Sequence, residues 1–385
     1  MRRDIAIVGI AETPPARRSR VPLKDAVINC VLAALEDAGL NASDVDGIVT
    51  DAGIMPVSVP ADYVAGQLGV ELKFSACLSY GGAGVVCAPM LAEEALTSGR
   101  ANVVVSYFGV DWGTDPAGPY SFHKRYPSKA LYEMPHGFSA QPIYFAHFAR
   151  RYIHEYGLTE EQLASVAIQH RRNAILKGNA QEMTPLDLEG YRKSRMISDP
   201  LRVPDCCLIS DGAGAIVMVS AERAKNCRKP PVYVKGVGFA AGPTTGDAAF
   251  TQNADYLAMP GAHRAADTAF TKAGIGRDVL DFAQIYDCFS ISCLMEIEDL
   301  GLVQRGEAGT FFESGEASLS GRLPINTHGG LLSYSYLLGI EHVVEAVRQL
   351  RGEAGATQLA NPEFGLVSGY SSPDYGILIL GNQNS

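Results

Sequence analysis

The feature that most restricts the fold of this chain is a segment that occurs twice. In the first copy, an amphipathic helix stops at Gly39, and a short turn leads through Asp46 into a buried strand. In the second copy, a helix stops at Gly274, and a similar turn leads through Asp281 into another strand. The two glycines and the two aspartates are separated by the same number of positions. This repeat predicts two similar halves with parallel strands and crossover helices, packed about a pseudo-two-fold axis.

A second pair of matching segments extends the repeat. Residues 81–99 begin with two glycines and predict a helix, which is followed by a strand at 102–107. Residues 329–352 again begin with two glycines and predict a helix, followed by a strand at 364–368. Each half is therefore expected to contain a second α/β unit of the same kind.

The composition is typical of a compact α/β enzyme with many tight turns. Of the 385 residues, 47% are hydrophobic, only 19% are charged, and 40 are glycine, so the chain can bury one large core or two coupled ones. We expect an N-terminal half at 1–228 and a C-terminal half at 229–385, linked near Pro230-Pro231. A stretch rich in Pro, Tyr and His, at about 111–198, is expected to form a loop domain inserted in the first half.

Charge, hydropathy and cysteine spacing exclude several classes of function. The net charge of −10 argues against nucleic acid or an anionic membrane as a partner. No stretch approaches the ~18 apolar residues of a membrane span, and the N-terminus has the pattern of a strand rather than of a signal peptide. The eight cysteines lack the paired spacing of a zinc site. We therefore expect a cytoplasmic protein with reduced thiols and no metal.

The most unusual stretch lies near the C-terminus, at 324–339. It begins as a loop aimed at the start of a helix, which the apolar spacing of 340–352 predicts. Two adjacent glycines, Gly329 and Gly330, allow the backbone to pass close to another group. The loop is also crowded with polar side chains that a plain connector would not need, namely Asn326, Thr327, His328, Ser333, Tyr334 and Tyr336.

This stretch resembles the Asn-x-x-Gly-Gly…Gly-His-Pro-x-Gly loop of thiolases, in the sterol-carrier-protein type of that superfamily. Counting from Asn326, the glycines Gly329, Gly330 and Gly339 fall in register. The catalytic His of the family falls on Tyr336, and its neighbouring Gly and Pro are also replaced. The resemblance implies an α/β chain with the thiolase fold, a duplicated five-layer αβαβα sandwich with an inserted loop domain. That organisation agrees with the internal repeat.

The reactive groups of a thiolase have no counterpart at the matching positions. The nucleophilic Cys of the family lies at the N-terminus of a buried helix, where the helix dipole favours the thiolate, and this position falls on Gly82 or Ala83. The region of the second reactive Cys, 367–375, contains no Cys. Cys77 lies about one turn before the nucleophile position and Cys87 about one turn after it. Cys77 remains open as a nucleophile on a shifted loop.

Two tyrosines stand in the emptied catalytic positions. Tyr336 replaces the His, and Tyr286 replaces the Asn of the Asn-Glu-Ala-Phe turn of the family. A core aromatic with a bonded hydroxyl is the commoner explanation for a single Tyr. Two such replacements, beside Asp287 and His328, instead favour an acid/base pair. We expect His328 to lower a phenol pKa from its ordinary value of ~10, so that one Tyr can act as a base.

A pair of phenols suits the retro-aldol cleavage of a β-hydroxyacyl-CoA. One group removes the alcohol proton as the C–C bond breaks, and the other stabilises or reprotonates the thioester enolate. No further cofactor is required, because the CoA thioester of the substrate acidifies the α-carbon. The pattern resembles the steroid side-chain aldolases of the thiolase superfamily, which lack the Cys and use two tyrosines. That resemblance implies a homodimer, a small OB-fold partner subunit that is often part of a hydratase, and a bulky steroid-CoA substrate.

The expected catalytic residues are therefore Tyr286, Tyr336, His328 and Asp287. Contacts with the acyl-CoA substrate are expected from a second group, which comprises Asn326, Gly329, Gly330, Gly82, His136 and Ser371. Two alternatives remain open. One is an acyltransferase of the thiolase type that uses Cys77, and the other is a lipid-binding or scaffold subunit whose partner performs the chemistry.

Overall fold

The computed structural model describes residues 4–54, 58–115, 127, 129–242, 250–253, 255–259 and 261–383. Within these residues the chain forms eleven strands. They are β1 (Ile5–Glu12), β2 (Gly47–Thr50), β3 (Phe74–Cys77), β4 (Val103–Asp111), β5 (Met196–Ser198), β6 (Leu201–Arg202), β7 (Asp211–Ser220), β8 (Val232–Ala240), β9 (Phe282–Gln284), β10 (Phe364–Ser371) and β11 (Asp374–Gly381).

The described residues also form twelve α-helices. They are α1 (Leu23–Ala38), α2 (Ala61–Leu68), α3 (Gly82–Thr97), α4 (Gln141–Tyr156), α5 (Glu160–Lys177), α6 (Leu188–Lys193), α7 (Ala221–Ala224), α8 (Ala262–Ala273), α9 (Ser290–Asp299), α10 (Ala308–Glu313), α11 (Gly330–Ser333) and α12 (Ile340–Arg351).

Nine of these strands form one sheet in the order β3-β2-β4-β7-β1-β8-β11-β10-β9. The order is symmetric about the contact between β1 and β8, because β2, β4, β7 and β1 correspond to β9, β10, β11 and β8. In each half one equivalent pair is parallel, β2 with β4 and β9 with β10, and the first half has a further parallel pair, β3 with β2. The other pairs are antiparallel. The duplication predicted from the sequence is present, but each half is mixed rather than purely parallel. Antiparallel β10 and β11 are joined directly by a tight hairpin, which needs no crossover helix.

The two repeated aspartates perform the same task in the two halves. Asp46 Oδ1 accepts hydrogen bonds from the backbone N–H groups of 102–103, at 2.7 and 3.0 Å, where β4 begins. Asp281 Oδ2 accepts hydrogen bonds from the N–H groups of 363–364, at 2.7 and 2.9 Å, where β10 begins. Each carboxylate ties the start of one parallel strand to the turn before its neighbour, which explains why the residue recurs.

The elements stack in five layers. Helix α1 covers the outer face of the first half-sheet, α8 covers the outer face of the second, and α3 and α12 lie between the two half-sheets. Three buried apolar clusters separate these layers. The central cluster combines residues of both inner helices with residues of both half-sheets, among them Val85, Val86, Val343, Val347, Met218 and Leu378. The αβαβα sandwich is therefore confirmed.

The segment after the second pair of glycines is not one continuous helix. It is split into the single turn of α11 and the longer α12, with the non-helical residues 334–339 between them. Leu338 has a φ of 59° and Gly339 a φ of 95°, and these left-handed conformations cannot continue a right-handed helix. The split creates a short irregular segment, and Tyr336 lies on it.

The insertion between β4 and β7 supplies α4, α5 and α6 and the small β5–β6 ladder. Helix α5 begins with a capping box in which Thr159 Oγ1 accepts from Gln162 N–H and Gln162 Oε1 accepts from Thr159 N–H, both at 3.1 Å. The same helix packs against α9, α10 and α11 of the second half. The insertion therefore covers the face of the sandwich on which the predicted catalytic residues lie.

Candidate active site

Tyr286 lies two residues after β9 and faces the N-terminus of α3. Its backbone N–H donates to Ser368 Oγ on β10 at 2.9 Å, which fixes the main chain at this point. A Cβ atom on Gly82, the first residue of α3, would lie 2.8 Å from Tyr286 Cζ and 2.8 Å from the Tyr370 carbonyl oxygen. Position 82 therefore has no room for a side chain, because the ring of Tyr286 occupies that space.

Tyr336 reaches the same place from the segment between α11 and α12. Its N–H donates to Ser210 Oγ at 2.9 Å, and its ring packs against Trp112 with the ring centroids 4.9 Å apart. The hydroxyl oxygen of Tyr336 is 2.8 Å from that of Tyr286, so the two phenols form a hydrogen bond in which either can be the donor. Tyr286 is buried and Tyr336 is half-buried, so Tyr336 is the more accessible member of this tyrosine pair.

The surroundings keep both phenols protonated. Burial raises the pKa of Tyr286 well above its ordinary value, and the neighbouring Tyr336 and Cys288 raise it further. Burial also raises the pKa of Tyr336, with an added contribution from Cys207. The expectation that His328 lowers a phenol pKa below its ordinary value is therefore wrong, because a phenolate at this site would lose its hydration.

His328 lies in a separate buried cluster. Its ring is centred 4.7 Å from the ring of Tyr334 and 5.2 Å from the ring of His342. Burial and the nearby His342 hold the pKa of His328 well below 6.5, so that its ring is neutral. Within the described residues, neither ring nitrogen has a hydrogen-bond partner, and no ring contact joins His328 to the tyrosine pair. His328 therefore supplies no positive charge to a phenol.

Asp287 is an anchor in the turn that carries Tyr286. His170 Nδ1 lies 2.8 Å from Asp287 Oδ2, and the N–H groups of 331–332 in α11 donate to the two carboxylate oxygens at 2.8 and 3.3 Å. His342 Nε2 lies 3.5 Å from Oδ1. Burial alone would raise the pKa of Asp287, but the His170 and His342 rings bring it below the ordinary value. The ionised carboxylate therefore joins α5, α11 and α12 to this turn.

Three residues predicted to contact the substrate instead pack against the protein itself. Asn326 Oδ1 accepts from Ile285 N–H at 2.7 Å, and its Nδ2 donates to the Ile285 carbonyl oxygen at 2.9 Å. A Cβ on Gly329 would lie 2.6 Å from the Cβ of Ala174, and a Cβ on Gly330 would collide with the Asp287 carboxylate. These residues hold the strand end before Tyr286, and they allow α11 to approach Asp287 closely.

Of the three remaining predicted substrate contacts, Gly82 faces the ring of Tyr286, and Ser371 and His136 lie in different surroundings. Ser371, at the end of β10, is half-buried beside the N-terminus of α3, where a Cβ on Gly81 would lie 2.7 Å from its Oγ. Ser371 is therefore next to Gly82 and close to the tyrosine pair. His136 ends a short 3₁₀ turn (Met134–His136) on the insertion and is exposed, and no described contact joins it to the tyrosines.

The cysteines do not occupy the position of a thiolase nucleophile. Cys77 is exposed at the end of the edge strand β3, several residues before α3 begins. Cys87 is buried inside α3, and burial raises the pKa of its thiol to about 12. Neither thiol lies at the N-terminus of α3, where the helix dipole would favour a thiolate.

Three supporting residues were not predicted, namely Ser210, Ser368 and Glu341. Ser210 and Ser368 are fully buried hydroxyls, and each accepts the N–H of one active-site tyrosine. Ser368 lies within the buried strand β10, where a polar residue is a signal of such a bond, whereas Ser210 lies just before β7 and has no such signal. Glu341 carries no such signal, because a Glu in the first turn of a helix is ordinarily a surface residue.

No helix among the described residues combines the length and the apolar character that crossing a membrane requires. No group of three or more His, Cys, Asp or Glu side chains in this part of the chain is arranged to hold a metal ion.

Residues 242–380 match a family model described as thiolase C-terminal domain-like. The chain is 34% identical over 355 residues to the steroid side-chain-cleaving aldolase of Thermomonospora curvata, and the match covers 90% of each chain. It is 33% identical over 375 residues to the acetyl-CoA acetyltransferase of Methanothermobacter thermautotrophicus, and this match covers 94% of this chain and 95% of the relative.

The solved structure of the Ltp2-ChsH2(DUF35) aldolase superimposes with a TM-score of 0.91 at 32% sequence identity, and the match covers 99% of each chain. The duplicated five-layer sandwich is thus the thiolase fold. The chain belongs to the thiolase superfamily, in its branch of proteins similar to the sterol-carrier-protein-2 thiolases.

Proposed function

We propose that this chain is a carbon–carbon lyase that performs the retro-aldol cleavage of a β-hydroxyacyl-CoA, with a steroid side chain as the acyl group. The observation that carries the proposal is the hydrogen bond between the hydroxyls of Tyr286 and Tyr336, at 2.8 Å. The similarity to a steroid side-chain-cleaving aldolase over 90% of the chain supports the same reaction class.

Two neutral phenols are sufficient for the proton transfers of this reaction. One phenol accepts the proton of the β-hydroxyl group and passes its own proton to the other phenol, which delivers a proton to the α-carbon. The alcohol O–H bond and the Cα–Cβ bond break, while a C=O bond and a Cα–H bond form. The electron pair of the broken C–C bond passes through the thioester enolate. Neither phenol needs to be ionised before the reaction begins, which fits the raised pKa values of both residues.

The products follow from this electron flow. The β-carbon leaves as a ketone if the substrate alcohol is tertiary, or as an aldehyde if it is secondary. The α-carbon is retained in a shorter acyl-CoA. No covalent acyl-enzyme forms, in keeping with Gly82 and Ala83, on one of which the nucleophile position of a thiolase falls.

The assembly is part of the proposal. We infer a homodimer that associates with a small subunit of the DUF35 type, which would help to close the CoA site. The aldolase that superimposes with a TM-score of 0.91 is a complex whose name includes such a component.

A second candidate is a thiolase-type acyltransferase that uses Cys77. The 33% identity with an acetyl-CoA acetyltransferase favours it. The exposed position of Cys77 at the end of an edge strand, five residues before α3 begins, argues against it. In a third candidate the chain is a scaffold or lipid-binding subunit, and the partner performs the chemistry.

The test is to replace each tyrosine of the pair by Phe and to assay the native complex on hydroxyacyl-CoAs by mass spectrometry. Tyr286→Phe and Tyr336→Phe should each reduce kcat by ~10²- to 10⁴-fold, as expected for the loss of an acid/base group. Tyr191→Phe is the matched control, because its buried hydroxyl bonds Asp205 at 2.7 Å in the insertion. Full turnover in both active-site variants would support the scaffold, and an acyl adduct on Cys77 would support the acyltransferase.

A further inference from the structure

Tyr336 is carried by a main-chain segment with an unfavourable conformation. The segment 334–339 separates α11 from α12, and within it Leu338 adopts a φ of 59°. A residue with a Cβ atom rarely adopts this left-handed conformation unless the surrounding structure enforces it. Something must therefore hold this segment, because a relaxed main chain would place the Tyr336 hydroxyl elsewhere.

Glu341 holds the segment from its C-terminal side. It lies in the first turn of α12 and is fully buried. Its Oε1 accepts from Leu337 N–H at 3.0 Å, and its Oε2 accepts from Gly339 N–H at 3.0 Å. The two bonds bracket Leu338, so one carboxylate spans the strained residue and uses both of its oxygens to do so.

A fully buried carboxyl group is costly unless its oxygens are paired. Burial raises the pKa of Glu341 to about 7, against the lowering effects of His342 and of the Leu337 N–H donor. A buried Glu at this position would therefore destabilise the fold if its two oxygens had no hydrogen-bond donors. A carboxylate is suited to it because both oxygens are acceptors, whereas an amide would present an N–H₂ donor to one of the two N–H groups.

Ser210 holds the segment from the opposite side. Its Oγ accepts from Tyr336 N–H at 2.9 Å and donates to Gln181 Oε1 at 2.7 Å. The N–H groups of 336, 337 and 339 are thus all bound by side chains. Two side chains from different elements fix the main chain on both sides of the Tyr336 ring.

We propose that Glu341 is a positioning residue that keeps the Tyr336 hydroxyl aligned with that of Tyr286, through the main chain of 337–339. This inference rests on the proposed function, in which the pair transfers the proton. Glu341 contacts neither hydroxyl, so its contribution is to geometry rather than to substrate binding. A displacement of about 1 Å in a catalytic group can reduce a rate by ~10²-fold.

The test is Glu341→Gln, with Glu298→Gln as the matched control. Glu298 is also buried on a helix, and its Oε1 accepts from Gly306 N–H at 2.9 Å and from Ala308 N–H at 3.0 Å. Each carboxylate therefore binds two backbone N–H groups, Glu341 with both oxygens and Glu298 with Oε1, which also accepts from the Tyr152 hydroxyl. Glu298 holds a turn that carries no catalytic residue. Both variants should lose stability, which is measured by thermal unfolding of the native complex.

The steady-state constants distinguish a positioning role of Glu341 from a purely structural one. Glu341→Gln should lower kcat by ~10-fold or more with KM nearly unchanged, whereas Glu298→Gln should leave both constants at the wild-type values. A kcat for Glu341→Gln equal to that of Glu298→Gln would overturn the inference. If Glu341→Gln does not fold, Ser210→Ala is the deciding variant, because it removes the acceptor of Tyr336 N–H together with the donor to Gln181 Oε1 and leaves Glu341 in place. Ser210→Ala should show the same fall in kcat without a rise in KM, and unchanged kcat would overturn the two-sided positioning of Tyr336.

The failure of this inference is distinguishable from the failure of the proposed function. If the proposed function is wrong, Tyr336→Phe retains turnover whatever Glu341→Gln does. If only the inference is wrong, Tyr336→Phe is inactive while Glu341→Gln and Ser210→Ala turn over normally.

Discussion

The ring of Tyr286 fills the space in front of Gly82, at the N-terminus of α3. The resemblance to thiolases places the nucleophilic Cys of the family at this helix end. A side chain at 82 and the ring at 286 cannot both fit in this space. The ring that occupies it belongs to a phenol, and that phenol is hydrogen-bonded to Tyr336.

Adding a methyl group at position 82 should displace the Tyr286 ring. Gly82→Ala is expected to destabilise the protein by ~1–3 kcal/mol through overpacking, and to reduce kcat because the two hydroxyls separate. Gly66→Ala on α2 is the control, since a Cβ there has no neighbour within 4 Å. The control should be neutral or stabilising by up to ~1 kcal/mol. Chemical denaturation and turnover are the measurements, and wild-type behaviour of Gly82→Ala would contradict the packing.

The pH dependence of kcat reports whether a phenol acts as a neutral group or as a phenolate. Burial raises the pKa of Tyr286 and of Tyr336, so both remain protonated up to and beyond the ordinary phenol value of ~10. We expect kcat to be constant from pH 8 to about 10 and to fall only as the phenols ionise above that range. A kcat that rises with pH across this interval would instead indicate a phenolate base.

The exposed thiol of Cys77 should be chemically reactive but dispensable. Cys77 is the exposed member of the eight cysteines, whereas burial raises the thiol pKa of Cys87 and of Cys206 to about 12. Iodoacetamide should therefore modify Cys77 first, because the thiolate is the reactive form. Peptide mass spectrometry identifies the site, and Cys77→Ser should retain the wild-type kcat. Loss of turnover in either experiment would favour the acyltransferase.

Removing the charge of Asp287 should destabilise the second half. Asp287→Asn leaves His170 and the start of α11 without their anionic partner, and breaking a buried pair of this kind costs ~3 kcal/mol or more. The pKa of Asp287 is lowered in the folded state, so its stabilisation is present above the unfolded pKa of ~3.9 and is lost as the pH falls below it.

Urea unfolding from pH 5 to 7 should therefore show a constant difference between Asp287→Asn and the wild type. Glu189→Gln is the control, because the exposed ion pair of Glu189 with Lys193 on α6 should contribute nothing measurable. Equal stability of Asp287→Asn and the wild type would contradict the role of Asp287 as an anchor.

The resemblance to thiolases implied the five-layer architecture and the two tyrosine positions. The sequence by itself determined the duplication, which depends on local spacing. Gly39 and Gly274 end equivalent helices, and Asp46 and Asp281 bind the N–H groups at the starts of equivalent strands. A periodic pattern and a helix stop are readable from neighbouring residues, because they follow from the geometry of the helix and strand themselves.

The tertiary structure alone decided how the candidate residues are used. Tyr286 and Tyr336 meet hydroxyl to hydroxyl, while His328 lies in another buried cluster and His136 is exposed on the insertion. The direction of each pKa shift depends on burial and on groups brought together from distant parts of the chain. No pattern within one segment contains that information, because these contacts exist only once the two half-sheets and the insertion have packed.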